Sequence, residues 1–408
     1  MIERALTGRL LTALASTPVV TLVGGRQTGK STLVTALAED GHPAEYVTLD
    51  DPTELAGARK DPVTYIERFA GPVILDEIQR APELLLPIKA AVDRDRSPGR
   101  FLLTGSANVL FVPAVAEALA GRMEVLTLWP FSTAELEARP AERIVDLLFA
   151  DRPRPPISEL STDELVSRLL AGGYPEVVAC EDDERRRQWF SSYLSTILER
   201  DVRTMADIAR LEQLPAVLTA IALRARGPLN KSGLSQDLGI PNSSLDRYLP
   251  LLERVFLVRR FPAWHNRLGP RLVKAPKLLV SDPGLLCRLL RADRGRLLED
   301  EALRGLVLES YVGMELVKSA GVVGEGSDVM HYRTTKGVEV DFMVEAADGR
   351  VAGIEVKAAS SVDAHDFKRF ERLEQSLGER FVRGVVLYTR GRAVTFGERL
   401  EAWPVGLL

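Results

Sequence analysis

Eight residues near the N-terminus, Gly24-Gly25-Arg26-Gln27-Thr28-Gly29-Lys30-Ser31, carry the spacing G-x-x-x-x-G-K-[ST] in full. Those types in that order suit the gripping of a phosphate chain. Glycine removes the Cβ that would stop the backbone from curling, so successive N–H groups can face phosphate oxygens. A helix opening near Lys30 adds the positive end of its dipole. Lys30 is expected at the β- and γ-phosphates of ATP, and the Ser31 hydroxyl at Mg²⁺, with Thr32 beside it in the binding set. Arg26 lies inside the loop, where its side chain reaches either phosphate or solvent.

Two further segments carry chemistry that a phosphate loop needs. Val73-Ile74-Leu75-Asp76-Glu77 is an apolar run closing on two acids. Asp76 at the end of a strand can hold magnesium through water, and Glu77 can polarise the attacking water as a general base. Leu102-Leu103-Thr104-Gly105-Ser106-Ala107-Asn108 ends in hydroxyl and amide groups that can sense a γ-phosphate. Ser106 is the first choice there and Asn108 the second. Arg122, in Leu119-Ala120-Gly121-Arg122, is either an arginine finger or sensor, acting in its own chain or a neighbour's, or a surface arginine.

A third group of acids lies near the C-terminus. Val338, Val340, Phe342 and Val344 alternate with Glu339, Asp341 and Met343, which predicts a strand with one apolar face. A three-residue turn Ala347-Asp348-Gly349, with Gly349 at positive φ, leads into a second strand over 351–358. That turn sets Asp341 opposite Glu355, so Asp341, Glu355 and Lys357 are expected on one face. Two acids and a lysine on a hairpin match the PD-(D/E)xK nuclease layout, in which the acids hold Mg²⁺ and the lysine steadies the attacking water. Glu309 is the preferred additional acid and Glu315 the alternative. A solvated set of cross-strand charges has the same pattern.

The elements that must position these residues follow from periodicity. Strand-like runs at Val19 to Val23, Ala44 to Leu49, Pro72 to Leu75, Phe101 to Thr104 and Met123 to Leu128 alternate with helical stretches, the pattern of a parallel α/β sheet. Asp151 to Pro156 reads as an exposed loop, and the region from Glu159 to about Glu253 as mostly helical. Within it, Lys231 to Leu238 and Ser243 to Arg254 flank a short turn at Gly239, followed by a strand at Val255 to Phe261. That is a winged-helix-like order, fit for DNA or for packing between domains. Arg259, Arg260, Arg267 and Arg271 are its best phosphate contacts. The expected organisation is a P-loop domain over 1–150, a helical subdomain over 151–227, a winged-helix-like domain over 228–295 and a nuclease-like α/β domain over 296–408.

Composition narrows the setting. The 408 residues allow two or three domains, and a net charge of −4 gives the whole chain no general attraction for nucleic acid. Residues 203–294 nevertheless hold roughly 16 Lys/Arg against 7 Asp/Glu. Cys180 and Cys287 are far apart, and His42, His265, His331 and His365 are scattered, so no zinc site is expected. No apolar run reaches the ~18 residues of a membrane span, and a cytoplasmic location is expected.

The segments GGRQTGKS, VILDEIQ, LLTGSAN and LAGR, in that order, resemble the bacterial and archaeal AAA-type ATPases. With Gly172-Gly173-Tyr174-Pro175-Glu176, Glu339 to Phe342 and Ile354 to Lys357, the chain is similar to the subfamily fused to a C-terminal domain of unknown function. The resemblance implies a cytoplasmic ATPase that uses ATP and Mg²⁺. Two readings of the whole follow: ATP hydrolysis coupled to action on DNA, or a nucleotide-controlled switch whose C-terminal domain is catalytically silent. Either allows a homo-oligomer.

Overall fold

The computed structural model describes residues 2–106, 119, 121–139, 144–158, 160–205, 211–267, 271, 274–322, 326–334 and 337–408. Ala107 and Asn108 lie outside them. The chain forms two compact units, Met1–Phe131 with Arg254–Phe256, and Ser132–Glu253 with Leu257–Leu408.

In the first unit, β1 (Val19–Val23), β2 (Glu45–Thr48), β3 (Val73–Asp76), β4 (Phe101–Gly105) and β5 (Met123–Thr127) form a sheet ordered β2-β3-β4-β1-β5. Every pairing is parallel. All residues of β1, β3 and β4 are buried, as continuous apolar runs are when helices cover both faces of a sheet. Those helices are α1 (Thr7–Ser16), α2 (Lys30–Glu39), α3 (Pro52–Lys60), α4 (Pro62–Glu67) and α5 (Leu85–Arg94). Asp51 caps α3 by accepting from Thr53 N and Glu54 N, and Asp61 caps α4 from Thr64 N, each with proline following at the first helical position. Val19, Leu75, Ile88, Phe101 and Leu103 share one core with Phe256. Because β4 lies between β1 and β3, the C-terminal ends of these three strands are neighbours. The glycine loop, the acid pair and the polar turn after β4 therefore converge along one sheet edge.

The second unit opens with helices, among them Thr162–Ala171, Asp183–Thr196, Leu214–Leu223, Lys231–Leu238 and Asn242–Arg254. Helix Lys231–Leu238 stops at Gly239, whose φ of 64° a side chain would strain. Leu245, Tyr248, Leu249, Leu251 and Leu252 form the buried stripe of the following helix. Strand β6 (Val258–Phe261) then pairs antiparallel with β7 (Lys277–Val280). Two of the four arginines expected to meet phosphate are already engaged. Arg260 bonds Glu253 at 3.0 and 3.1 Å, and Arg271 pairs with Glu345 at 2.6 Å.

A six-stranded mixed sheet follows, from β8 (Asp328–Arg333), β9 (Glu339–Glu345), β10 (Val351–Val356), β11 (Phe381–Tyr388), β12 (Val394–Thr395) and β13 (Leu400–Pro404), ordered β12-β13-β11-β10-β9-β8. The β9–β10 turn is the one its sequence predicts. Gly349 has φ 82° and its N–H donates to Ala346 O at 2.9 Å. Pairing runs from Val351↔Glu345 to Ile354↔Phe342, and the next step of that register sets Glu355 across from Asp341. Alternation placed Met343 on a polar face, yet it is fully buried. Helix Lys368–Leu377 covers that face, and a Cβ on Gly353 or Gly384 would fall 2.7 or 2.6 Å from Phe370. On the long helix Glu301–Val322, a Cβ on Gly313 would fall 2.6 Å from Phe342, so glycine lets helix and sheet approach closely. Among the described residues no helix is long and apolar enough to cross a membrane.

Candidate functional site

The glycine loop leaves β1 at Val23 and enters α2 at Lys30. Gly24 is glycine because a Cβ there would lie 2.3 Å from Leu128 O, where the chain leaving β5 bonds back to Val23 O at 2.7 Å. Gln27 and Gly29 take φ of 61° and 92°, which curls the loop. Gly25 and Thr28 are buried, Arg26 and Ser31 half-buried, Gln27 and Thr32 exposed. The Thr28 hydroxyl closes the turn on Gly25 O at 3.0 Å. Lys30 Nζ lies back over the loop, donating to Gly24 O at 3.1 Å and Gly25 O at 2.9 Å. The ammonium is thereby held against the carbonyls of its own loop.

Asp76 is 3% exposed and receives three hydroxyls. Ser31 Oγ and Tyr46 OH each donate to Oδ2 at 2.9 Å, and Thr104 Oγ1 donates to Oδ1. Ser31 and Asp76, the pair expected at magnesium, are in direct contact. Tyr46 and Thr104 were missed. Parallel register is the signal that finds Thr104, since Leu75↔Leu103 places the next residues side by side. Burial, then the hydrogen bond to Asp76 and its charge, push the Tyr46 phenol up to about 12, so it stays a donor.

Glu77 stands at φ 60°, ψ 44°, a left-handed conformation that a non-glycine residue rarely takes. Its N–H donates to Thr104 Oγ1 at 3.2 Å. Its carboxylate accepts from Ser106 Oγ at 3.3 Å and from Gln79, whose amide also donates to Ser106 Oγ at 3.0 Å. Ser106, expected at a γ-phosphate, stands beside Glu77, and Gln79 was not foreseen.

Arg122 does not join this group. It precedes Met123, which pairs with Val19 at the opposite end of β1 from the loop, and its Nε bonds Asp93 at 2.6 Å. At about 3.3 Å of rise per strand residue, the length of β1 keeps it well over 10 Å from the loop. A role at the phosphates of its own chain is therefore corrected: parallel register puts the two ends apart.

The C-terminal acids behave differently from one another. Glu309, Asp341 and Glu355 line one cavity of about 620 Å³ together with Arg226, His365, Lys368, Arg369 and Arg372. Asp341 accepts from Val356 N at 2.8 Å. Glu309 bonds Lys277, a lysine 1% exposed that approaches the Phe342 ring at 5.1 Å. Glu355 bonds Arg369 through one oxygen, and its other oxygen is buried with no partner among the described residues. Burial, then the Asp341 charge, push both Glu309 and Glu355 well above the ordinary carboxylate range, and burial raises Asp341. Lys357 is the correction here. The strand ends at Val356, and Lys357 turns to Asp366, which caps the turn before helix Lys368–Leu377. The lysine that lines the cavity is Lys368, and Lys277 from β7 is joined to the cavity through Glu309, a link that spacing around Glu355 does not reveal. Glu315 bonds Lys318 at 2.8 Å and accepts from Thr133 N at 3.1 Å, so of the two expected candidates it is Glu309 that lines the cavity, where Glu339 stands as well.

Among the described residues no three His, Cys, Asp or Glu stand close enough together to form a metal cage. Magnesium nevertheless binds through one or two carboxylates and keeps its waters, so an orphaned Glu355 oxygen beside Asp341 is a donor set that fits it. His265, His42 and His331 take no part in this cavity, whereas His365 lines it.

Comparison with known proteins places these sites in context. Residues 16–137 match the family described as AAA domain, residues 162–296 a domain of unknown function (DUF8612), and residues 304–408 a second one (DUF4143). The uncharacterized proteins Rv2008c of Mycobacterium tuberculosis and Mb2031c of Mycobacterium bovis are each 30% identical over 364 residues, 88% of this chain and 74% of theirs. Among solved structures, a variant of Thermotoga maritima RuvB is 20% identical, covering 67% of this chain and 90% of that one at a TM-score of 0.31. A signal transduction ATPase with numerous domains from Pyrococcus horikoshii is 12% identical, covering 78% and 49% at 0.24.

Proposed function

Because this chain belongs to the same family as Rv2008c and Mb2031c, and is an AAA-type ATPase carrying further domains of unknown function, we propose that it hydrolyses ATP with Mg²⁺ at its glycine loop and couples turnover to DNA binding or processing. One observation carries the ATPase half: Lys30, Ser31, Asp76, Glu77 and Ser106 meet along one edge of the parallel sheet. The N–H groups of 24–31 and Lys30 hold the phosphates. Ser31 and Asp76 hold Mg²⁺, which neutralises phosphate charge. Glu77, fixed by Ser106 and Gln79, takes the proton from the attacking water. The water oxygen bonds to the γ-phosphorus as the bond from that phosphorus to the β–γ bridging oxygen breaks, Lys30 meets the charge left on the ADP oxygen, and Glu77 passes its proton to solvent.

The test separates binding from chemistry. Lys30→Ala should abolish tight ATP binding by calorimetry. Glu77→Gln should bind ATP as wild type does and release no phosphate, so undiminished turnover in that variant sinks the assignment.

The DNA half rests on the C-terminal cavity, whose acids suit a divalent cation and whose Arg226, Lys368 and Arg372 suit phosphodiester oxygens. Lys277 pairs with Glu309 and Arg369 with Glu355, while Lys357 pairs with Asp366. Capture of Lys357 by Asp366 favours the second reading, in which this domain binds without cutting and ATP controls a switch. Nicking of supercoiled DNA with Mg²⁺ or Mn²⁺, lost in Asp341→Asn and Lys277→Met but kept in Lys357→Ala, supports cleavage. Identical behaviour of wild type and Asp341→Asn hands the assignment to the switch.

A further inference from the structure

Arg4 lies twenty residues before the glycine loop, outside every motif, and yet its side chain is built into the loop's wall. It is 8% exposed. Nη1 donates to Thr28 O at 2.7 Å, Nη2 donates to Trp129 O at 2.6 Å, and the guanidinium lies 4.5 Å from the centre of the Phe131 ring. A Cβ on Gly29 would come 3.5 Å from Nη1. One buried, permanently charged fork thus spans two carbonyls more than 100 residues apart in sequence, one inside the loop and one just beyond β5.

The consequence follows from peptide geometry. A trans peptide is planar, so its C=O and N–H point in opposite directions. Pulling the Thr28 carbonyl outward to Arg4 turns the Gly29 N–H inward, to the concave side where phosphates sit. Thr28 lies just ahead of the first helical bond of α2, from Leu33 N to Gly29 O at 3.0 Å. At that point the helix ladder has yet to fix the backbone, and an outside group can set it. Lysine would not substitute, because the planar fork reaches two acceptors at once while its face rests on an aromatic ring.

We propose that Arg4 is a positioning residue of the nucleotide site: it holds the Thr28 carbonyl so that the loop is curled for phosphate before ATP arrives, and ties that loop to Trp129 at the exit of β5. This rests on the reading of the loop as the ATP site. Arg4 touches no reacting atom, and Glu77, Asp76 and Thr104 keep their own contacts without it. Its loss should therefore remove binding common to ground and transition states, raising KM and leaving kcat.

The experiment uses the full chain with Mg-ATP and Mg-ADP, comparing wild type, Arg4→Met and Arg4→Lys. Losing charge-assisted hydrogen bonds should weaken Kd for both nucleotides, and raise KM, by roughly tenfold or more in Arg4→Met. Saturated kcat should stay within about threefold. Arg4→Lys, keeping charge but one bond at most, should fall between the two. Should Arg4→Met fail to fold, the lysine variant carries the same comparison, with a weakened Kd expected. A fall in the melting temperature of nucleotide-free protein with Kd and KM unchanged would overturn the proposal and leave Arg4 a brace of the fold. Wild-type affinity in Arg4→Lys would overturn it in favour of charge alone. Wild type that binds no ATP is a different result, seen before any variant, and it fails the ATP-site reading instead.

Discussion

Glu355 is held under strain that its neighbours do not relieve. Its carboxyl is pushed up by burial, then by Asp341, and one oxygen has no hydrogen-bond partner among the described residues. The sign of the pH effect follows. Above pH ~4.3 the unfolded carboxyl ionises freely, while the folded one resists, so the group subtracts stability progressively as pH rises toward its folded value. Glu355→Gln should therefore raise the melting temperature, and by more at pH 8 than at pH 5. Mn²⁺ should raise the melting temperature of wild type at pH 8 and leave the glutamine variant nearly unmoved. Calorimetric scans at the two pH values check both; destabilisation by the glutamine at pH 8 removes the argument. Sites whose acids cost the fold stability are where function has been selected over packing.

At the scale of elements, the cavity depends on how closely helix Glu301–Val322 lies on the second sheet. Gly313 sets that distance, with Phe342 Cζ and Leu279 Cδ1 2.6 and 2.7 Å from where its Cβ would stand. Glu309 lies one turn earlier on the same helix, so any side chain at 313 lifts the acid away from Asp341. Gly313→Val should cost about 1–3 kcal/mol by overpacking, and abolish the Mn²⁺ stabilisation even at temperatures where the unit is folded. ATP binding should be retained, because Lys30 and Asp76 belong to a unit with its own core. Thermal unfolding with and without Mn²⁺, followed by nucleotide titration, measures all three. Persistent metal stabilisation would show that Glu309 does not need this close approach.

Across the whole molecule, the position of Arg122 sets the question of assembly. It sits at the opposite end of β1 from the loop and is paired with Asp93, so it serves no phosphate in its own chain. A role as a finger then requires a neighbouring copy. ATPase per chain should rise with protein concentration, and Arg122→Ala should lower kcat about tenfold or more at high concentration. Mixing Arg122→Ala with Glu77→Gln should recover activity that neither has alone, since one copy offers the arginine and the other an intact site. A mixture no better than its parts, in a range where light scattering shows oligomers, makes Arg122 a surface residue.

The strands of the first unit and the Asp341–Glu355 register were legible because both rest on local information. Buried parallel strands are unbroken apolar runs, and a three-residue turn with glycine at positive φ fixes which residues face each other. The glycine loop was legible for the same reason, since phosphate chemistry dictates residue types at fixed spacing. Spacing alone could not place Lys357, because the strand ends one residue before it and a capping aspartate captures it. Nor could it find Lys277, Thr104 or Arg4, each brought to its site by an element distant in sequence. Met343 was assigned to the wrong environment because a strand's alternation tells its two faces apart but does not reveal a helix covering the second. Local chemistry is written in neighbouring residues; which cation reaches which acid depends on strand order and helix packing, and those exist only once the chain has folded.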